Sequence, residues 1–177
     1  FNNSSIQSDT KGSDPAGNIQ LTSPGVLSFN NSQIISNTSS TGSAGSITMN
    51  APQVQFNDAA SGLFAQTSSS GVAGNIILQS FGSDSLAVQF QNGAQISAAT
   101  GSTGQGGSVL VTAPQTILLT GNGTISAGTS NNGAGGNIQL TTRDLTLQDG
   151  VNVSASASGS GKAGEVIINA ENLTLHN

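Results

Sequence analysis

Few side chains in this chain have the chemistry for catalysis or metal binding, and their spacing is irregular. The acids are Asp9, Asp14, Asp58, Asp84, Asp144, Asp149, Glu165 and Glu171; the bases are Lys11, Arg143 and Lys162; His176 is the single histidine and cysteine is absent. Paired carboxylates could serve acid/base chemistry, or hold calcium beside a basic residue. A calcium array in a repetitive chain needs Asp at a fixed offset after glycine runs, as in G-G-x-G-x-D. The stretches Gly106-Gly107-Ser108 and Gly135-Gly136-Asn137 lack it. Asp144 and Asp149 flank one short apolar run, with Arg143 adjacent, and read best as solvated turn residues. One histidine without a cysteine or a second histidine does not make a zinc site. The serines follow a loop pattern and do not converge on a base. The expectation is a non-enzymatic chain that binds no cofactor and no metal.

Other partners are narrowed by charge and apolarity. Three basic residues cannot form a stripe along a phosphate backbone, so no nucleic-acid partner is expected. No stretch is long and apolar enough to insert in a membrane. The opening FNNSSIQSDTKG has neither a basic region nor an apolar one, so it does not read as a signal peptide. Two phenylalanines, Phe64 and Phe81, fall out of phase with the apolar pattern and are expected to be partly exposed. The segment Gln79 to Ser85 is longer than its counterparts, which makes Phe81, Ser83 and Asp84 a candidate contact loop. With no Trp and no Tyr, two isolated aromatics do not point to a carbohydrate groove. The Asn-x-Ser/Thr triplets arise by chance in so Asn- and Ser-rich a chain.

The elements that position these residues repeat. Gly17, Gly45, Gly74, Gly107, Gly136 and Gly164 each follow, by eleven residues, a branched aliphatic: Ile6, Ile34, Leu63, Ile96, Ile125, Val153. Two residues after each glycine comes another aliphatic: Ile19, Ile47, Ile76, Val109, Ile138, Val166. A tandem unit of 28 to 33 residues thus fills the 177-residue chain, which is read as one domain. Strict timing of the apolar residues, 34% hydrophobic content and a net charge of only −5 argue for order, despite a composition rich in Ser, Gly and Asn.

Each unit holds three short runs of period-two alternation, the signature of strands. In one unit these are Ile47-Thr-Met49, Val54-Gln-Phe56 and Leu63-Phe-Ala65, with Pro52 between the first two. Turn pairs Asn92-Gly93, Asn122-Gly123 and Asp149-Gly150 are expected to take positive φ before the third run. Two residues beyond the third-run aliphatic stands only Ser or Ala (Ser8, Ser36, Ala65, Ala98, Ala127, Ala155), as a narrow corner of a tube requires. Phe1, Phe29, Phe56 and Phe90 share one inward slot and should stack. The prediction is an all-β, right-handed parallel β-helix of about six coils, three short strands per coil. At ~4.8 Å per coil, such a rod is about 29 Å long.

The tetrapeptides Ala-Gly-Asn-Ile (16–19 and 73–76) and Gly-Gly-Asn-Ile (135–138), with the cadence Gln-Asn-Gly-Ala-Gln-Ile-Ser-Ala (91–98), carry a resemblance. The chain resembles the central repeats of filamentous-haemagglutinin-like exoproteins of two-partner secretion, the cyanobacterial branch in particular. Members are large secreted β-helical rods, exported through a partner outer-membrane barrel, that act as adhesins or matrix components. The resemblance implies an extracellular or cell-surface location and a structural, non-catalytic segment internal to a longer rod. It also implies contact with cell-surface or matrix polysaccharide. Chain ends at equivalent phases (residues 1–3 and 175–177) predict continuation of the rod or end-to-end self-association. Two alternatives belong to other classes: an ice- or surface-binding β-helix, although no Thr-x-Thr column emerges, and a polysaccharide lyase-like β-helix.

Overall fold

The computed structural model describes residues 1–82 and 85–176, and among these every regular element is a strand. In chain order they are β1 (Ser5–Gln7), β2 (Ile19–Thr22), β3 (Val26–Phe29), β4 (Gln33–Ile35), β5 (Ile47–Asn50), β6 (Gln53–Phe56), β7 (Gly62–Phe64) and β8 (Ile76–Gln79). They continue with β9 (Ala87–Phe90), β10 (Gln95–Ser97), β11 (Val109–Leu119), β12 (Thr124–Ser126), β13 (Ile138–Gln148), β14 (Asn152–Ser154) and β15 (Val166–His176). All pairings are parallel, and each joins a strand to its copy one coil away. The third runs form one sheet, β1-β4-β7-β10-β12-β14; the first and second runs form a nine-stranded sheet. This is the expected β-solenoid of about six coils.

Register follows the aliphatic spacing. Ile6, Ile34, Leu63, Ile96, Ile125 and Val153 are successive partners along one wall. Ile19, Ile47, Ile76, Val109, Ile138 and Val166 are successive partners along another. A one-residue slip would turn every one of these outward, so burial alone fixes the pairing. Ile34, Ile47, Leu63, Ile76 and Ile138 have no accessible surface at all. Phe1, Phe29, Phe56 and Phe90 stack with ring centroids 4.8, 4.4 and 4.7 Å apart and planes within 13°. The coil repeat forces this near-parallel geometry, since each ring rides on a strand ~4.8 Å from the next. Leu119, Leu147 and Leu175 continue the column by register.

Two expectations are corrected in detail. In the last three coils the first and second strands fuse into the eleven-residue β11, β13 and β15, with a register shift between Ala113 and Thr116. That corner is shallow enough for the ladder to run through it. Pro114 sits at the irregularity, the place in a strand where a missing N–H is tolerated. The turn at 121–123 is shifted by one residue. Gly121 (φ 74°) and Asn122 (φ 60°) are left-handed and Gly123 is not, whereas Asn92-Gly93 and Asp149-Gly150 take positive φ as expected.

Candidate functional site

The recurring Gly-Asn-Ile motif has a physical reason at each position. A Cβ on Gly45, Gly74, Gly107, Gly136 or Gly164 would meet the carbonyl of the matching glycine one coil earlier, closer than 3.0 Å. None of these glycines has positive φ, so the requirement is space and not backbone conformation. The following residue bonds the coils together. Asn18 Oδ1 accepts the Ser46 N–H (2.7 Å), Asn75 Oδ1 that of Ser108 (2.8 Å) and Asn137 Oδ1 that of Glu165 (2.9 Å). The aliphatic after it enters the core.

A second glycine column escaped the sequence reading. Gly42, Gly71, Gly104, Gly133 and Gly161 lie three residues before the first column, and a Cβ on each would strike the carbonyl below it in the same way. A threonine column was also missed. Thr10, Thr38, Thr67, Thr100 and Thr129 pair in succession. Each Oγ1 accepts an N–H two residues on, from Gly12, Ser40, Ser69, Ser102 and Asn131. Both columns repeat with the same spacing as the Gly-Asn-Ile glycines, and that spacing was the signal available in the sequence.

Other polar side chains are used for coil-to-coil bonding. Asn57 Nδ2 donates to Asn30 Oδ1 (2.9 Å), and Asn30 Nδ2 donates to Asn2 Oδ1 (2.9 Å), a short amide ladder. Asp9 accepts the Asn37 N–H, and Asn37 accepts that of Gln66. Asp58 accepts from the Asn31 and Ala60 N–H groups and the Ser61 hydroxyl, closing its turn. Asp144 accepts from Arg143 Nε (2.9 Å) and Asn172 Nδ2 (2.7 Å). The Arg143 hydrogen bond, followed by that of Asn172, holds the Asp144 carboxyl below its ordinary range, and the same contact raises Arg143. Among the described residues no three metal-ligating side chains come together.

The exposed aromatics stand apart. Phe64 lies half-buried on the outer face of β7, and the far edge of its ring covers Gly62, where a Cβ would come within 2.9 Å of it. Register places Gln33 and Gln95 beside Gly62, and Ile35 and Ser97 beside Phe64. Ser97 points outward but is only 7% exposed, because the Gln66 amide closes over it and donates to its hydroxyl (2.6 Å). Next to this patch a groove of about 550 Å3 runs past Asp9, Lys11, Asn37, Gln66 and Ala99. Phe81 is 42% exposed beyond the end of β8, in the other sheet. Ser83 and Asp84, the rest of the expected contact loop, lie outside the described residues. Phe64 and Phe81 therefore do not form one site, and Phe64 offers a single stacking ring.

The last strand carries exposed apolar side chains. Val166, Ile168, Leu173 and Leu175 on β15 are 40, 37, 52 and 68% exposed, although their counterparts one coil back are core or packed on it. At the opposite end Phe1 is 46% exposed. Comparison with protein-family models, with curated proteins and with solved structures returns no match.

Proposed function

We propose that this chain is a structural segment of a secreted bacterial surface adhesin or extracellular matrix fibre, serving as a stiff spacer without catalytic chemistry. The observation that carries the reading is where the polar groups go. Asn, Ser, Thr and Asp side chains repeat along the solenoid and bond one coil to the next, and Asp9, Asp58 and Asp144 are tied into ladders or turns. A scaffold needs many identical, mutually supporting interfaces, and a solenoid supplies them as nearest-neighbour terms. The resemblance of the Gly-Asn-Ile cadence to exported β-helical exoproteins supports the same reading, and with it an extracellular setting and continuation as part of a longer rod. A matrix polysaccharide would meet the rod on its long polar faces. The ice-binding alternative loses support from the threonine column, whose members Thr38, Thr67, Thr100 and Thr129 are no more than 4% exposed and serve their own turns.

The test is an antibody raised against the segment and applied to the producing cells. Labelling of intact, unpermeabilised cells or their shed matrix is expected. Labelling that requires permeabilisation would refute the reading.

A further inference from the structure

The groove of about 550 Å3 runs along the rod across four successive coils, from Asp9 to Gly101. Three of those coils, at 37–39, 66–68 and 99–101, have a further coil on each side, so the ends of the chain do not shape them. In these coils buried Thr38, Thr67 and Thr100 form the floor, each between a half-buried residue and an exposed one. Asn37 and Gln66 stand on one side of that floor, Ser39 and Ser68 on the other. Successive groups on each side are therefore one coil apart, ~4.8 Å. The backbone along the floor is already engaged. Thr38 N–H donates to Gln66 O (3.0 Å), Thr67 N–H to Ala99 O (3.3 Å), Ser68 N–H to Thr38 O (3.1 Å) and Gly101 N–H to Thr67 O (2.8 Å). An extended peptide would find no unpaired edge to add to, and its residue spacing of about 3.3 Å would fall out of step with the coils.

The groups left over define the ligand. Among the described residues the Asn37 Nδ2 group, the Gln66 Oε1 atom and the hydroxyls of Ser39 and Ser68 make no hydrogen bond, although the other half of each amide is engaged. All four are neutral, and in these three coils no ionisable side chain lines the groove. We propose that the groove is a saccharide site for an extended, neutral, β-linked pyranose chain, one sugar to a coil. Such a chain advances by close to one coil spacing per sugar. It carries hydroxyls along both edges, which would meet the amides on one side and the serines on the other. Asp9 and Lys11, one charge of each sign, lie together at the first-coil end and give the groove no net preference for an ionic ligand. The inference rests on the spacer reading, in which a polysaccharide meets the polar faces of the rod, and deepens it by naming the place and the class of glycan. Binding in solution and labelling of cells are separate measurements, so either can fail while the other succeeds.

The test is a titration with cellohexaose, followed by backbone amide chemical shifts, with maltohexaose, whose α-linked chain curls, as the comparison. Cellohexaose is expected to shift the amide signals of Asn37, Gln66 and Ser68 and to bind about tenfold or more tightly than maltohexaose. Ser68→Leu fills the groove from an exposed position and should weaken binding about tenfold or more. Ser158→Leu, at the same place in the last coil and outside the groove, should leave binding unchanged. No shift with cellohexaose would overturn the site. Equal binding of the two sugars would overturn the fit to an extended chain. Equal losses from Ser68→Leu and Ser158→Leu would place binding elsewhere on the rod and count against the groove.

Discussion

Substituting Gly74 by Ala adds one methyl group and tests the glycine-column argument without changing charge or hydrogen-bonding capacity. The new Cβ would stand closer than 3.0 Å to the Gly45 carbonyl oxygen, whereas ordinary contact begins at 3.4 Å. The obstacle is backbone, so it cannot swing aside, and the two coils must separate at this corner. The inter-coil bonds on either side, Ala44 N–H to Val72 O (2.9 Å) and Ile47 N–H to Asn75 O (2.8 Å), are the first to stretch. Each is worth about 0.5–1.5 kcal/mol net, and a buried group left unpaired costs about 1–3 kcal/mol. Weakening both therefore predicts a loss of about 2–5 kcal/mol. Gly101→Ala is the internal control. Its added Cβ would find nothing nearer than the Ser68 Cα at 3.7 Å, and its φ is not positive. That change should be neutral, or stabilising by about 0.4–1 kcal/mol through the unfolded chain. Urea unfolding followed by circular dichroism measures both. Losses for Gly74→Ala and Gly101→Ala that agree within about 1 kcal/mol, the order of the extrapolation error, would refute the steric account.

Three further outcomes are expected. Ile96→Asp should cost several kcal/mol, since an unpaired carboxylate would sit where Ile96 is 1% exposed, while Gln95→Asp on the outer face should change the melting temperature little; similar shifts would mean that the facing of β10 is wrong. Phe56→Ala should cost about 3–5 kcal/mol by opening a void in the stacked column, and Phe81→Ala should be near neutral at 42% exposure; the reverse order in thermal melts would contradict the assignment. Because the folded pKa of Asp144 is lowered, its contribution is present above the ordinary carboxylate value of about 3.9 and is lost as pH falls through the lowered value. Asp144→Asn should thus be the less stable protein at neutral pH, with the gap closing in strong acid, and a gap that widens on acidification would count against the Arg143 and Asn172 contacts.

The fold was legible because one steric rule and one burial rule act on the same residues in every coil. Gly45 and Gly74 cannot carry a side chain, and Ile34 and Leu63 cannot face water, so the spacing between them is fixed and visible in one dimension. Ser36 and Ala65, read as lining a narrow corner, are fully buried. Features governed by local competition were less legible. Asn122 is flanked by glycine on both sides, Gly121 and Gly123, and nothing in the sequence decides which of them takes the left-handed place. Alternation along β10 turns Ser97 outward, but a long neighbour, Gln66, folds over it, and alternation carries no information about covering side chains. The fusion of first and second strands in β11 depends on how sharply the corner at Pro114 bends, which Pro alone does not specify. Leu86, outside the periodic pattern, is fully buried where the chain returns from the longest corner. At the candidate site, the exposure of Phe64 and Phe81 followed from phase. The cover that Phe64 gives Gly62 required three dimensions.

In the solenoid each strand lies beside its copy one coil away, and methyl-resolved nuclear Overhauser spectroscopy tests that most directly. Cross-peaks are predicted between successive members of the series Ile6, Ile34, Leu63, Ile96, Ile125 and Val153, and not between Ile34 and Ile96 or Leu63 and Ile125. Strong Hα–Hα contacts between strands adjacent in sequence, such as β5 with β6, would show antiparallel hairpins and contradict the solenoid.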